Sequence, residues 1–297
     1  MMSTLRRGRI ISRMSGHISR KRSEELFFGA FCGITAVYTI VWDARRAPWD
    51  ATSLMPILYA GTSGFAYPSW KPEFYPEKLA SKKFLSYYAT RLNAVEVNYT
   101  FRRLPSVSTL EKWVNETRPG FVFPLKAHMR ITHILKLQPS DFTEVFFRAI
   151  DPLRSARRIG PLLFQLPPAL KCDHALLSDF LETLPRDVRC AFEFRHASWL
   201  TDTVYGLLEK HGVALCLAES EKLVIPKVIT SNFVYSRLRM PEYSPEDLKE
   251  IDAHVRQLLD SGRDVYVFFK HEDTPAGALY AEELLRAFPA QTETASL

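Results

Sequence analysis

The sequence lacks the motifs that usually announce a cofactor or a metal. Its four cysteines, at positions 32, 172, 190 and 216, form no C-x-x-C pair, and no H-x-H or H-E-x-x-H spacing occurs. The turn Gly61–Gly64 also lacks the glycine fingerprint of dinucleotide-binding folds. We therefore predict no cofactor, and the free cysteines favour a reducing compartment and a cytoplasmic location.

The body of the chain also lacks an excess of charge. Residues 1–54 contain nine basic and four acidic residues, so they carry +5 of the formal net charge of +6. The other 243 residues contain 30 basic and 29 acidic residues and carry only +1. A near-neutral body gives no strong signal for nucleic-acid binding. A hydrophobic content of 46% is typical of a globular protein with a sizeable core.

Residues 1–54 differ in character from the rest of the chain. No acidic residue precedes Glu24, and residues 26–42 form a 17-residue run without charge. A basic flank before an apolar run is typical of a signal peptide or a short membrane anchor. The alternative is a start assigned too far upstream, because a compact strand begins directly after Met55-Pro56. Only a genuine 26–42 segment would make the protein exported or membrane-anchored.

We expect the natively expressed protein to begin at Met55 or Pro56. Its intact mass, measured after purification from its own source, checks this expectation. A mature chain that retains residues 26–42 would contradict it and restore the anchor interpretation.

From residue 57 onward, short β-rich runs alternate with helical patterns. The predicted strands are 57–61, 94–98, 121–126, 162–166, 190–194, 213–217, 233–238 and 265–269. The predicted helices lie near 81–91, 107–117, 141–156, 174–184, 200–210, 245–260 and 276–288, with none expected in 218–232. This alternation predicts an α/β fold, a single-domain (β/α)₈ TIM-barrel-like structure over 55–297, preceded by the 1–54 extension. A doubly wound open sheet is the alternative.

Polar residues stand at almost every predicted strand end, where barrel enzymes carry their active sites. Because side chains i and i+2 share a face of a strand, Glu96, Asn98, Lys126, Gln165 and Glu193 are predicted to point into the barrel mouth. The strand-end cations are predicted to point into the mouth as well; they are Lys126, Arg195, Arg237 and Lys270. Four cations against two carboxylates predict a small anionic ligand. A self-satisfied ion network that plugs the barrel is the alternative.

These residues suggest an enzyme, a hydrolase or lyase acting on a small anionic, phosphorylated or nucleotide-like substrate. Glu96 or Glu193 would act as general acid or base, and Lys126 would stabilise developing negative charge or, if desolvated, form a Schiff base. The other predicted substrate-binding groups are Asn98, Gln165, Arg195, Arg237 and Lys270.

Two other functions share these residues. Histidines that follow strand ends could join Glu96 and Glu193 around a divalent metal for phosphodiester or endonuclease-like cleavage. A non-catalytic metabolite-binding barrel would present the same polar mouth. The aromatic loop after the first strand, with Tyr67 and Trp70, either forms a stacking wall for a ligand or covers the barrel as additional core.

Eight segments of the body resemble the DUF72 (YecE-like) family. They are YAGTSGFAYPSW (59–70), FYPEKL (74–79), VEVNYTFRRLPS (95–106), PLKAHMRITH (124–133), LLFQLPP (162–168), FEFRHASW (192–199), FVYSRLR (233–239) and VFFKHEDTPAGALYAEEL (267–284). The resemblance implies a TIM-barrel-like fold with no established activity. It also implies shared polar positions at Glu96, Asn98, Lys126, Gln165, Glu193, Arg195 and Arg237.

The sequence departs from the family pattern at two strand ends. It has Leu238-Arg239-Met240 where many members carry a His-Gly pair after the strand's arginine, and Lys270-His271 where many carry asparagine. Both differences add positive charge to the predicted mouth.

Overall fold

The computed structural model describes residues 55–271 and 273–289, so the 1–54 extension and its 26–42 run lie outside the described residues. Seven strands form one parallel sheet in the order β1-β7-β6-β5-β4-β3-β2. The strands are β1 Leu58–Thr62, β2 Phe123–Lys126, β3 Ile159–Gln165, β4 Cys190–Glu193, β5 Ala214–Ala218, β6 Phe233–Leu238 and β7 Asp264–Phe269. The curled sheet with alternating helices is TIM-barrel-like, as predicted.

Within the described residues, eight α-helices lie between these strands or follow the last of them. They are α1 Phe84–Arg91, α2 Val107–Asn115, α3 Asp141–Ala149, α4 Asp151–Ser155, α5 His174–Glu182, α6 Asp202–Lys210, α7 Pro245–Asp260 and α8 Ala276–Ala287. The predicted helix 141–156 is two helices, because Pro152 has no N–H to continue the hydrogen-bond ladder. The 218–232 link contains no helix, and no helix in the described part of the chain is long and apolar enough to cross a membrane.

The predicted second strand, 94–98, is present only as isolated parallel bridges. Ser63 pairs with Glu96 on the β1 side, and Ala94 and Val97 pair with Val122 and Leu125 on the β2 side. Residues 94–97 therefore lie between the two edge strands and bond to both. The segment occupies the predicted place of the second strand in the barrel, but it does not form a regular strand.

The Asn93 side chain explains this interruption. Its amide nitrogen donates to the Leu58 carbonyl at 2.8 Å, and its amide oxygen accepts from the Ala60 N–H at 2.9 Å. One buried side chain thus supplies two of the hydrogen bonds on this side of β1, and the Glu96 N–H gives another to the Thr62 carbonyl. The backbone here does not need to follow a regular ladder.

Two apolar layers surround the sheet. The inner cluster, inside the barrel, includes Ala94, Leu163, Ala191, Cys216 and Phe268. The outer cluster packs the sheet against the helices and contains alternate residues of the same strands, such as Val95, Phe164 and Phe192. This alternation is the predicted one, and it directs Glu96, Gln165 and Glu193 toward the inside.

We expect Asn93→Leu to destabilise the fold by about 2–5 kcal/mol, because it leaves one buried N–H and one buried C=O of β1 without partners. Urea unfolding followed by circular dichroism measures the change. Asn115→Leu, at an exposed position of α2, is the matched control and should change stability by about 0.5 kcal/mol or less. Equal effects of the two substitutions would show that the Asn93 hydrogen bonds do not support β1.

Candidate functional site

The site is organised around the guanidinium of Arg237, at the end of β6. One nitrogen, Nη2, donates to Glu96 Oε1 at 2.7 Å, and the other, Nη1, donates to Glu193 Oε2 at 2.6 Å. All three side chains are almost fully buried. Arg237 thus joins the 94–97 segment to β4 across the barrel. Burial alone would lower the pKa of Arg237, but the charges of Glu96 and Glu193 outweigh it and raise that pKa.

Glu96 accepts further hydrogen bonds from neutral donors. The Ser63 hydroxyl donates to Oε1 at 2.7 Å, and the Tyr235 hydroxyl donates to Oε2 at 2.8 Å. Burial and the Glu96 charge raise the pKa of Tyr235 well above its usual value, so this phenol remains protonated. Asn98 approaches the same carboxylate only at 3.5 Å. Both oxygens of Glu96 are therefore occupied.

Glu193 is held by three arginines and one amide. Besides Arg237, it accepts bonds from Arg195 Nε at 3.1 Å, from Arg239 Nη2 at 2.9 and 3.0 Å, and from Gln165 Nε2 at 2.8 Å. Burial raises the pKa of Glu193, but the surrounding guanidinium groups hold it well below its usual range. Glu193 therefore remains ionised at neutral pH and is a weak base.

Lys126, at the end of β2, is half-buried and differs from the arginines. Its Nζ lies 4.0 Å from the centroid of the Phe101 ring and makes no ion pair with any residue that the structure describes. Burial and the nearby Arg237 charge lower the pKa of Lys126 to about 8, although Glu193 and Glu96 oppose the change. The Lys126 amine therefore titrates near physiological pH.

The mouth contains more positive than negative groups. Lys126, Arg195, Arg237 and Arg239 surround two carboxylates, and the Arg195 side chain is 39% exposed. Three buried polar atoms here, Asn98 Oδ1, Arg237 Nε and Arg239 Nε, have no hydrogen-bond partner within the described chain. The site therefore contains buried polar atoms and positive charge that the described residues do not balance.

Three predicted residues make no described contact with the two carboxylates. Lys270 is exposed at the end of β7, and the described hydrogen bonds and ion pairs of the two carboxylates do not include it. The structure places Trp70 in the core, fully buried and stacked on Tyr75, so it cannot form a stacking wall. Tyr67 is half-buried at the edge of the site, and its hydroxyl donates to the Ser63 carbonyl at 3.0 Å.

Tyr235 is a functional candidate that the sequence analysis missed, and Ser63 and Arg239 join the site although neither is among the predicted catalytic or substrate-binding residues. Strand alternation places three side chains of this segment on one face, since every second residue points the same way: Tyr235 and Arg237 in β6, and Arg239 directly after it. Arg239 stands in one of the two departures from the family pattern and is the fourth cation of the site, in place of Lys270. Ser63 directly follows β1, which ends at Thr62, whereas the predicted strand ends at residue 61.

A metal centre is not evident among the described residues, because no three His, Cys, Asp or Glu side chains cluster in a way that would hold one. The histidines near the mouth have separate local partners. His196 Nδ1 is 2.9 Å from Ser198 Oγ, and His271 Nε2 is 3.1 Å from the Pro241 carbonyl oxygen. Glu96 and Glu193 are engaged with guanidinium groups, which a metal would have to displace.

The fold and the site together define a TIM-barrel-like protein with a cluster of cationic side chains at the carboxyl ends of its strands. The model of a protein family of unknown function, DUF72, matches residues 59–296. The chain belongs to the DUF72 family, which confirms the resemblance seen in the sequence.

Individual relatives agree with this assignment. The UPF0759 protein YunF of Bacillus subtilis (strain 168) is 30% identical over 156 residues. This match covers 50% of this chain and 54% of YunF, so the chain spans about half the length of that relative. The crystal structure of a DUF72 family protein from Thermotoga maritima MSB8 is 28% identical and has a TM-score of 0.69, over 78% of this chain and 99% of that protein. A family 2 AP endonuclease from Brucella melitensis shares the fold alone, with a TM-score of 0.50 at 10% identity over 80% of this chain and 100% of that one.

We expect Glu193→Gln to flatten the acid dependence of stability. Because the folded pKa of Glu193 lies below its unfolded value, its ionised form stabilises the fold above about pH 4.3, and this stability is lost as the pH falls. The wild type should lose roughly 3 kcal/mol more than the variant between neutral and strongly acidic pH. The variant should itself be less stable at neutral pH by about 3 kcal/mol.

Urea midpoints at several pH values measure both effects. Glu144→Gln is the control, since Glu144 is exposed on α3 and pairs only loosely with Arg148 at 3.8 Å. Parallel pH curves for wild type and Glu193→Gln would show that the arginines do not depress the pKa of this carboxyl.

Proposed function

We propose that this protein is an enzyme, a lyase or hydrolase, that binds a small anionic substrate at the barrel mouth. The observation that carries the proposal is the surplus of cations over carboxylates, together with the buried polar atoms that lack partners. A plug that serves only stability would need neither, because buried charges are normally matched. In a partly desolvated pocket, the surplus charge attracts an anion strongly.

The roles differ from those expected from the sequence. Glu96 and Glu193 position the arginines, since their oxygens are already engaged with guanidinium, hydroxyl and amide donors. Arg195 and Arg239 lie at the more accessible side of the site, so they bind the anion. Lys126 is the remaining ionisable group and carries the proton chemistry.

The metal-dependent phosphodiesterase alternative is less well supported by this arrangement. It requires Glu96 and Glu193 as metal ligands, yet the Arg237 guanidinium lies between them and repels a cation. The near-neutral body also offers no basic face for a nucleic-acid backbone.

Sulfate is a suitable probe, because its charge is constant across neutral and alkaline pH. We expect calorimetric titration to show sulfate binding that Lys126→Met and Arg195→Met each weaken by about tenfold or more, the value of one charge-assisted hydrogen bond. Arg148→Met, on the exposed face of α3, is the control and should leave binding unchanged. Wild-type affinity in both variants would contradict the anion site.

The pH dependence adds a second readout. Wild-type sulfate affinity should fall as the pH rises through about 8, because Lys126 then loses its positive charge. Lys126→Arg should retain its affinity across this range, since arginine remains charged. A panel of anionic metabolites followed by NMR then tests turnover. Binding without any product would assign the non-catalytic alternative.

A further inference from the structure

Lys126 is surrounded by groups that would normally bind an ammonium ion, but it binds neither carboxylate. Glu96 and Glu193 are close enough to influence its pKa, yet no ion pair of 4.0 Å or less forms with Lys126 in the described chain. Their oxygens accept from guanidinium groups instead. The amine is thus held in the site without a carboxylate partner among the described residues.

Burial and a neighbouring charge oppose protonation of this amine. Burial and the Arg237 charge lower the pKa of Lys126, whereas the face of the Phe101 ring, with its centroid 4.0 Å from Nζ, attracts the ammonium form. At about pH 8 roughly half of this amine is neutral, against about one part in 250 for an ordinary lysine. Desolvation beside another cation is the usual way in which proteins make a lysine nucleophilic.

A proton carrier lies beside the same aromatic ring. The His133 ring is 5.0 Å from Phe101, centroid to centroid, and belongs to the π-helical turn Arg130–Ile134 that follows β2. Burial, and then the charges of Lys126 and Arg195, lower the pKa of His133, so its imidazole is neutral at neutral pH. A neutral imidazole can accept a proton and return it.

We propose that Lys126 forms an imine with a carbonyl group of the substrate, so that the substrate is a small carbonyl compound carrying a carboxylate or a phosphate. This inference rests on the proposed function, because Arg195 and Arg239 would bind the anionic group while Nζ meets the carbonyl carbon. It makes Lys126 a catalytic residue and the reaction a lyase-type reaction at the carbon next to the carbonyl.

The chemistry balances with groups already in the site. The Nζ lone pair forms the C–N bond, the carbonyl π electrons move to the oxygen, and His133 carries one proton from nitrogen to this oxygen to give a carbinolamine. His133 then carries the second proton from nitrogen to the hydroxyl, which leaves as water as the nitrogen lone pair forms the C=N bond. No oxidant or reductant is needed.

Reductive trapping tests the inference. The full chain is incubated with sodium cyanoborohydride and either pyruvate or dihydroxyacetone phosphate, which represent the carboxylate and phosphate classes. Intact mass and peptide mapping then locate the adduct. We expect adduct on Lys126 from at least one of these probes, at least tenfold faster than on Lys249, an exposed lysine of α7. Uncharged dihydroxyacetone should react at least tenfold more slowly than the better anionic probe.

Lys126→Arg separates this inference from the proposed function. It keeps the positive charge, so sulfate binding should persist, but it removes the amine, so trapping at this position should disappear. Lys249→Arg is the matched control and should trap as the wild type does. Sulfate binding without any adduct on wild-type Lys126 would overturn the imine and leave the anion site intact. Equal labelling of Lys126 and Lys249 would also overturn it, and loss of sulfate binding in the wild type would overturn both proposals.

Discussion

The bridge that Arg237 makes between Glu96 and Glu193 is the constraint on which the rest of the mouth depends. Three charges lie almost completely out of water, at 2.6 and 2.7 Å from one another. Removing one member of such a buried set typically costs about 3–5 kcal/mol, because the others are left unpaired. The bridge fixes the spacing of the 94–97 segment, β4 and β6 across the barrel, and it commits both carboxylates to a structural task.

This commitment determines what the other polar groups can do. A guanidinium presents two parallel donors that match a carboxylate, whereas an ammonium is a single charge, so arginine is the better partner for each oxygen. Arg195, Arg237 and Arg239 accordingly share Glu193, and Lys126 makes no ion pair among the described residues. Burial is the main cause of the lowered pKa of Lys126, and the Arg237 charge adds to it.

Much of this could be predicted from the sequence, because two-residue alternation decides which side chains face the inside of a barrel. Glu96, Gln165 and Glu193 were located in this way. The interruption at 94–98 could not be, since it depends on Asn93 replacing backbone hydrogen bonds of β1. Arg239 joins the site because the alternation of β6 continues one residue past Leu238, whereas Lys270, which follows β7, is exposed. Trp70 lies in the core, which is the alternative interpretation of its loop, because Phe74 and Tyr75 pack around it.

The inner apolar layer completes the electrostatic argument. Ala94 and Ala191 lie two residues before Glu96 and Glu193 on the same faces, and with Leu163, Cys216 and Phe268 they form a dry layer beneath the charges. Low polarisability below the site strengthens every charge interaction above it. The net charge of +6 is therefore a poor guide to this protein, since most of it belongs to residues 1–54. The charge that would meet the proposed anion is the small surplus at the mouth.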